Sequence, residues 1–370
     1  MHIEELATDI LPLSRQLIDA AQTRFDNLIK PIGSLAQLER MTDRYAAIIG
    51  SSDKKLVVIP ESRLFLIWGT EAYKDRIEEI FTGKRAITAL CRQVRIKPFA
   101  QFVTSTETVE LIEEGAMLTG EYIGEEKGEI VCLGTFATAP APEKWLPLLE
   151  ERDGILFLEK LGVPESSAMT GAILRAAALR VPVILDGVAV CLAAAAAAKF
   201  NEAVLGYCFA GHESTEAGMT EILEHLKLEA PLKLNLPDSS GVGALTCLDI
   251  FDAGIKAYTQ METFEEAQVH IEVEEFSLKK QMDKLAAGRE ETAENCGCGC
   301  HDHEDCGCGD HHHDDCGCGD EDCDCEDGDE EFILREDGQY RTLEIHGGHG
   351  DHDEDGCADG ACRFTPPEDK

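Results

Sequence analysis

From Cys296 to Asp329 the chain holds no aliphatic or aromatic residue. Such a stretch cannot bury apolar surface, so it cannot offset the entropy of folding by building a core. That feature divides the 370 residues. A hydrophobically folded domain has to come from residues 1–288, and residues 289–370 read as an acidic, low-complexity, disordered tail. The tail holds eleven of the sixteen cysteines and eight of the twelve histidines.

Charge is shared unevenly between the two parts. Residues 289–370 carry 28 acidic and 5 basic side chains, leaving −16 of the total −39 for the rest. Both parts repel a phosphate backbone, which argues against nucleic acid as a partner, while an acidic field concentrates cations. No run of about 20 apolar residues is present to span a bilayer, so no membrane association is expected. The N-terminus, MHIEELATDILPLSRQL, lacks a signal-peptide profile. Those features point to the cytoplasm, where thiols stay reduced and favour metal over disulfide. A disulfide scaffold is the alternative if the compartment is oxidising.

Thiolate, imidazole and carboxylate are the metal-binding side chains, and the tail contains little else. A ten-residue repeat opens C-G-C-G units at Cys296, Cys306 and Cys316. The donors are Cys296, Cys298, Cys300, His301, His303, Cys306, Cys308, His311, His312, His313, Cys316, Cys318, Cys323 and Cys325. A second tract adds His346, His349, His352, Cys357 and Cys362. Glycine between paired cysteines lets both sulfurs turn toward one ion. Soft sulfur with imidazole suits Co, Ni, Zn or Cu(I) better than Mg or Ca. The spacing is not that of a closed structural zinc site and fits a multi-ion sponge for storage or hand-over. The plainer reading is an acidic tail with incidental cysteines. Between the tracts, residues 331–345 alternate in part around Asp337-Gly338, a hairpin signal. The other cysteines, Cys91, Cys132, Cys191, Cys208 and Cys247, lie on apolar elements and read as core.

The body alternates strand and helix signals. Helical patterns cover Asp9 to Ile49, broken at Lys30-Pro31-Ile32-Gly33, then Ile77 to Val94 and Thr108 to Leu118. Short apolar runs at Leu56 to Ile59, Leu64 to Trp68 and Glu129 to Leu133 read as strands. The clearest unit is helix Ala168 to Leu179, buried strand Val181 to Leu185 ending at Asp186-Gly187, and helix Val188 to Phe200. Strand Val204 to Phe209 follows, then helix Met219 to Leu226, an apolar run Leu232 to Leu236 and helix Ala244 to Thr259. Glu265 to Ala287 reads as a charged helical connector. The fold class is therefore α/β: a parallel sheet with helices on both faces. Ligands in such sheets sit beyond the carboxyl ends of the strands, where Asp186 and His212 are expected.

Four stretches carry a resemblance to a known family. They are Leu28-Ile-Lys-Pro-Ile-Gly-Ser-Leu35 with Leu38-Glu39, Arg180-Val-Pro-Val-Ile-Leu-Asp-Gly187, Ala210-Gly-His-Glu-Ser-Thr-Glu-Ala-Gly218, and Met261-Glu-Thr-Phe-Glu-Glu-Ala267. In that order they resemble nicotinate-nucleotide:dimethylbenzimidazole phosphoribosyltransferase, which activates the lower ligand of cobalamin. The resemblance spans Arg24 to Val269, is weak between Ser51 and Glu165, and excludes the tail. It implies a Rossmann-like domain, a small helical subdomain made from both chain ends, and a homodimer. It implies no organic cofactor.

In the family, a glutamate in a G-E-G-T-G loop takes the azole proton. The matching stretch is Ser239-Ser-Gly-Val-Gly243, which puts Ser240 at the glutamate's place. A serine hydroxyl is a poor base unless activated. Asp238 is the nearby carboxylate that could substitute. The family's glycine-rich phosphate loop corresponds to Leu133-Gly-Thr-Phe-Ala-Thr-Ala-Pro140, which has one glycine. The family segment that follows, with G-R-G-T-G and a phosphate-facing lysine, has no counterpart, and the D-H-G strand end is replaced by Gly69-Thr70-Glu71. Asp186, Ser214, Gly241 and Gly243 match family substrate-binding positions; helix capping and turn geometry are their alternative roles.

These observations lead to a divergent, non-catalytic relative with a transition-metal-binding tail, linked to cobamide or metal-cofactor metabolism. It would store or deliver metal, or act as companion subunit to an active paralogue. The alternative is an active phosphoribosyltransferase moving phosphoribose from nicotinate mononucleotide to a benzimidazole or other lower-ligand base, an azole or a phenolic acceptor, with Asp238 or a partner chain as base. Pure metal storage on an inert body is the third reading.

Overall fold

In the computed structural model, residues 2–237, 239–267, 331–334 and 340–343 are described. The chain enters through α1 (Ile3–Thr8), α2 (Arg15–Asp26) and α3 (Gln37–Ile49), then forms β1 (Arg63–Gly69), α4 (Lys74–Phe81), α5 (Ala86–Gln93) and β2 (Lys97–Phe102). It continues with α6 (Thr108–Glu126), β3 (Ile130–Thr135), α7 (Pro142–Trp145), α8 (Gly154–Leu161) and α9 (Pro164–Ala178). The last part of this unit holds β4 (Val183–Asp186), α10 (Gly187–Phe200), β5 (Cys208–His212), α11 (Met219–Leu226) and α12 (Val242–Gln260). Residues Met1–Glu274 form one unit and Glu275–Lys370 a second.

All five strands of the first unit are parallel, in the order β2-β1-β3-β4-β5. The order reverses direction at β1, which makes the gap between β1 and β3 the topological switch point, where such sheets bind ligands. The β1 sequence RLFLIWG is buried throughout, as a central parallel strand between two helical layers must be. One layer joins α6, α9 and α10; the other sets α12 on β3, β4 and β5 beside α3 and α5. Helix α10 is buried from Gly187 to Ala197, and its alanines let it sit tightly among α8, α9 and α11. The α6–α9 contact is closer still. A Cβ on Gly171 would lie 1.8 Å from the Ile112 carbonyl oxygen, so only glycine permits that approach.

The two ends of the first unit meet in a helical subdomain. Leu28 bridges Thr263, the Phe264 amide donates to Asn27 at 3.0 Å, and Arg24 reaches the carbonyls of Tyr258 (2.9 Å) and Met261 (3.1 Å). The Leu28–Glu39 motif is the staple of this subdomain. The Glu39 carboxylate accepts from Lys30 Nζ (2.8 Å), the Leu35 amide (3.0 Å) and Gln22 (3.1 Å).

Several elements differ from expectation. Leu56 to Ile59 is not a strand: only Val57 is buried there, Leu56 and Val58 are exposed, and Pro60 supplies no donor. Ile77 to Val94 is two helices, because Gly83 turns with φ +80° between them. Strand β2 has no counterpart among the expected strands; its Lys and Pro suit an edge position, where one side of the ladder stays unpaired. The strand expected at Val204 to Phe209 begins at Cys208, after a 3₁₀ segment Glu202–Tyr207. The apolar run Leu232 to Leu236 forms neither helix nor strand, and its end carbonyls accept from the amides of Glu213 (2.8 Å) and Thr215 (2.9 Å). In the second unit, Glu331–Leu334 and Tyr340–Leu343 pair antiparallel. The connector expected at Glu265 to Ala287 lies outside the described residues beyond Ala267.

Candidate functional site

The strand ends bring four of the anticipated residues together. Asp186, at the end of β4, is fully buried and does not cap α10. Its Oδ2 instead accepts from the amides of Gly241 (2.8 Å) and Gly243 (3.0 Å), and its Oδ1 lies 3.2 Å from Nδ1 of His212 at the end of β5. Burial pushes the Asp186 carboxyl above the usual range, opposed by His212 and the two amides. The result is a tie across 55 residues that anchors the 239–243 loop and the start of α12 to the sheet. A Cβ on Gly243 would lie 2.3 Å from Asp186 Oδ1, so glycine is a condition of the tie. Asp186, Gly241 and Gly243 thus shape the site from behind rather than line its opening. His212 Nε2 is buried and has no hydrogen-bond partner among the described residues.

In front of this tie lies a cleft of about 390 Å³. Residues 135–142 form much of its wall, with Arg76, Val188, Glu216 and Ser239 completing the part that carries polar groups. The wall is held from within: the Thr135 amide donates to the Ser239 carbonyl (2.8 Å), Thr135 Oγ1 to Trp68 (2.7 Å), and the Ala137 amide to Thr135 Oγ1 (3.0 Å). Phe136 faces the cleft under the Arg76 guanidinium, 4.3 Å from its ring centroid, with Arg85 at 5.4 Å.

Glu216 is the polar centre of the lining, and sequence reasoning does not single it out. Its carboxylate accepts from the Val188 amide (3.1 Å), Ser214 Oγ (2.9 Å) and Ser239 Oγ (2.9 and 3.0 Å). Burial raises its carboxyl above the usual value, and those three donors pull the other way. The available signal is its place in the Ala210–Gly218 motif, two residues after Ser214. Ser214 therefore serves Glu216 directly. Ser240, the residue at the family glutamate's place, is buried at 5% exposure and is absent from the cleft lining. Asp238 lies outside the described residues, as do the tail donors from Cys296 to Cys362.

No group of three His, Cys, Asp or Glu side chains among the described residues is arranged to hold a metal ion. The five body cysteines are all buried, with thiols pushed up by burial, which makes them poor ligands. No helix among the described residues is long and apolar enough to cross a membrane.

Comparison with known proteins agrees with this architecture. A phosphoribosyltransferase family model matches residues 99–269. The chain is 26% identical to nicotinate-nucleotide:dimethylbenzimidazole phosphoribosyltransferase of Ruminiclostridium cellulolyticum over 345 aligned positions, covering 73% of this chain and 98% of that protein. It is 27% identical to the protein of the same name from Geobacter sulfurreducens, covering 72% and 98%. Since 73% of 370 residues is about 270, roughly 75 of the 345 aligned positions have no residue in this chain. The fold is similar to that of a crystal structure of the Thermus thermophilus protein of that name, with a TM-score of 0.61 at 18% identity, covering 70% of this chain and 99% of the other.

Proposed function

We propose that this chain, which belongs to the nicotinate-nucleotide:dimethylbenzimidazole phosphoribosyltransferase family, keeps the strand-end cleft as a ligand site but no longer transfers phosphoribose, and gathers transition-metal ions on its tail. One observation carries the first half. The residue at the family glutamate's place is a buried serine, Ser240, and it does not line the cleft. The carboxylate that does line the cleft, Glu216, already accepts from Val188, Ser214 and Ser239. A general base needs a lone pair within reach of the substrate proton. Three of the lone-pair directions of Glu216 are thus taken up by the protein's own donors.

Composition supports the second half. The sixteen cysteines divide into five buried in the body and eleven in the tail, so thiolate ligation falls to the tail. Co, Ni or Zn fits that donor set. The chain would then store or deliver metal in cobamide or metal-cofactor metabolism, as a homodimer or beside an active paralogue. The test has two arms. The full chain is incubated with nicotinate mononucleotide and dimethylbenzimidazole, and nicotinate release stays at background. Elemental analysis of the full chain and of a chain ending at Gly288 finds the metal only in the former. A truncated body that keeps the metal overturns the assignment to the tail.

A second reading, an active transferase, is favoured by Glu216 being a carboxylate on the cleft lining whose carboxyl burial raises, which makes it a stronger base than a solvated glutamate. Nicotinate release above background that is abolished by Glu216→Gln would establish it. Release abolished instead by Asp238→Ala would move the base to that residue.

A further inference from the structure

We infer that Arg76 is the anion-binding residue of the cleft, and that the cleft's ligand places a carboxylate or phosphate beside it. The inference rests on the reading of the cleft as a retained ligand site. It starts from what the loop after β3 cannot do. A phosphate cradle is made of free backbone amides turned toward one point. Here several of the strand-end amides are already engaged. Thr135 donates to the Ser239 carbonyl, Ala137 to Thr135 Oγ1, Val188 to Glu216, and Gly241 and Gly243 to Asp186. The first-turn amide of α10 is thus covered by a carboxylate, which would repel an incoming anion.

Arg76 offers what those amides do not. It projects from α4, just after β1, on the switch-point side of the sheet, and lines the cleft. It makes no hydrogen bond or ion pair with any described residue. Its neighbour in function, Arg85, is engaged with Glu79 at 2.9 Å. The Arg76 guanidinium, on an exposed side chain, lies over Phe136, 4.3 Å from the ring centroid, which favours that position while leaving its N–H edge free. Phe136 is itself 7% exposed and stands within the stretch that replaces the glycine-rich loop. A planar fork of donors on a rigid aromatic support is suited to bidentate recognition of an oxyanion.

The test uses the full chain and titration calorimetry with three probes: nicotinate mononucleotide, nicotinate and ribose 5-phosphate. The last two separate carboxylate from phosphate as the recognised group. Wild type is expected to bind nicotinate mononucleotide and one of the two fragments. Arg76→Gln should weaken both by about tenfold or more, because a charge-assisted contact is lost, and Arg76→Lys should fall between. Thr138→Trp, an exposed position on the cleft wall, should block binding sterically, with unfolding curves showing that each variant folds. Unchanged binding in Arg76→Gln, with Thr138→Trp blocking, overturns the inference and leaves the cleft reading standing. Loss in Arg76→Gln with no effect of Thr138→Trp puts the anion outside the cleft and overturns it too. Absence of binding by wild type to all three probes removes both the inference and the reading beneath it.

Discussion

The strand-end cluster and the helical subdomain at the ends of the first unit both bury carboxylates, and they differ in what meets the charge. At the strand ends, Asp186 and Glu216 accept from backbone amides, hydroxyls and an imidazole, so every buried carboxylate oxygen there has a partner. In the subdomain, Glu39 is as well provided for: burial would raise its carboxyl, but Lys30, Gln22 and the Leu35 amide outweigh it and hold it low. One helical turn later, Asp43 is 3% exposed and its Oδ1 has no partner among the described residues. Burial, with Glu39 and Asp26 nearby, pushes the Asp43 carboxyl up to about 7. The contrast teaches that burial alone does not decide a carboxylate's charge. The donors set against the burial penalty do: Glu39, met by the Lys30 ammonium, is held low, while Asp186 and Glu216, buried among amides, hydroxyls and an imidazole, stay raised.

The comparison can be broken most sharply at Asp186. Asp186→Ala would orphan the amides of Gly241 and Gly243 and leave His212 Nδ1 unpaired, a loss of roughly 3–9 kcal/mol at 1–3 kcal/mol per unsatisfied buried group. Denaturant unfolding measures it, and a loss under about 1 kcal/mol would mean the cluster is not the tie described here. Lys30→Met tests the provided half of the subdomain. It strands the Glu39 charge and should cost roughly 3 kcal/mol by the same measurement, as broken buried pairs do.

Asp43→Asn should act in the opposite direction. Its carboxyl binds a proton more tightly in the folded state than in the unfolded, where the value is 3.8. Stability from this group is therefore full below about 4, falls as pH rises, and is lost above about 7. At pH 8 the Asn variant should be more stable than wild type by on the order of 1 kcal/mol, after allowance for solvent screening, and the advantage should vanish near pH 4. A pH-independent difference would show that Asp43 has a partner after all. The smallest effect belongs to Ser239→Ala, which leaves Glu216 with two of its three donors. It should cost about 1 kcal/mol and raise the Glu216 carboxyl further, which carboxylate NMR can follow.

Much of this is legible in the chain because it is local. The apolar run ending in Asp186-Gly187 announces a parallel strand with a site at its tip, and the periodicity of helix α11 matches the bounds it has, Met219–Leu226. The Leu28–Glu39 motif stands out as a motif, but its use as a buried staple depends on Gln22, which no spacing rule connects to Glu39. The cleft is harder for the same reason. Its wall draws on positions 76, 135–142, 188, 216 and 239, brought together only by the strand order. Glu216 stands in a recognisable motif, yet its partner Ser239 is 23 residues away and Val188 is 28. Strand β2 escapes pattern reading because KPFAQF, at an edge, neither alternates nor forms a continuous apolar run.

The sealed sulfurs of the first unit have a practical corollary. Burial pushes Cys91 up to about 11 and Cys208 and Cys247 up to about 12, and it holds Cys132 and Cys191 well above the usual thiol range. An alkylating reagent meets almost no thiolate at any of them while the sheet is closed. Each can be modified only as fast as the surrounding core opens, so the rate at which these five positions acquire label is a stopwatch for that opening. Cys132 on β3 and Cys208 on β5 would time opposite sides of β4 separately.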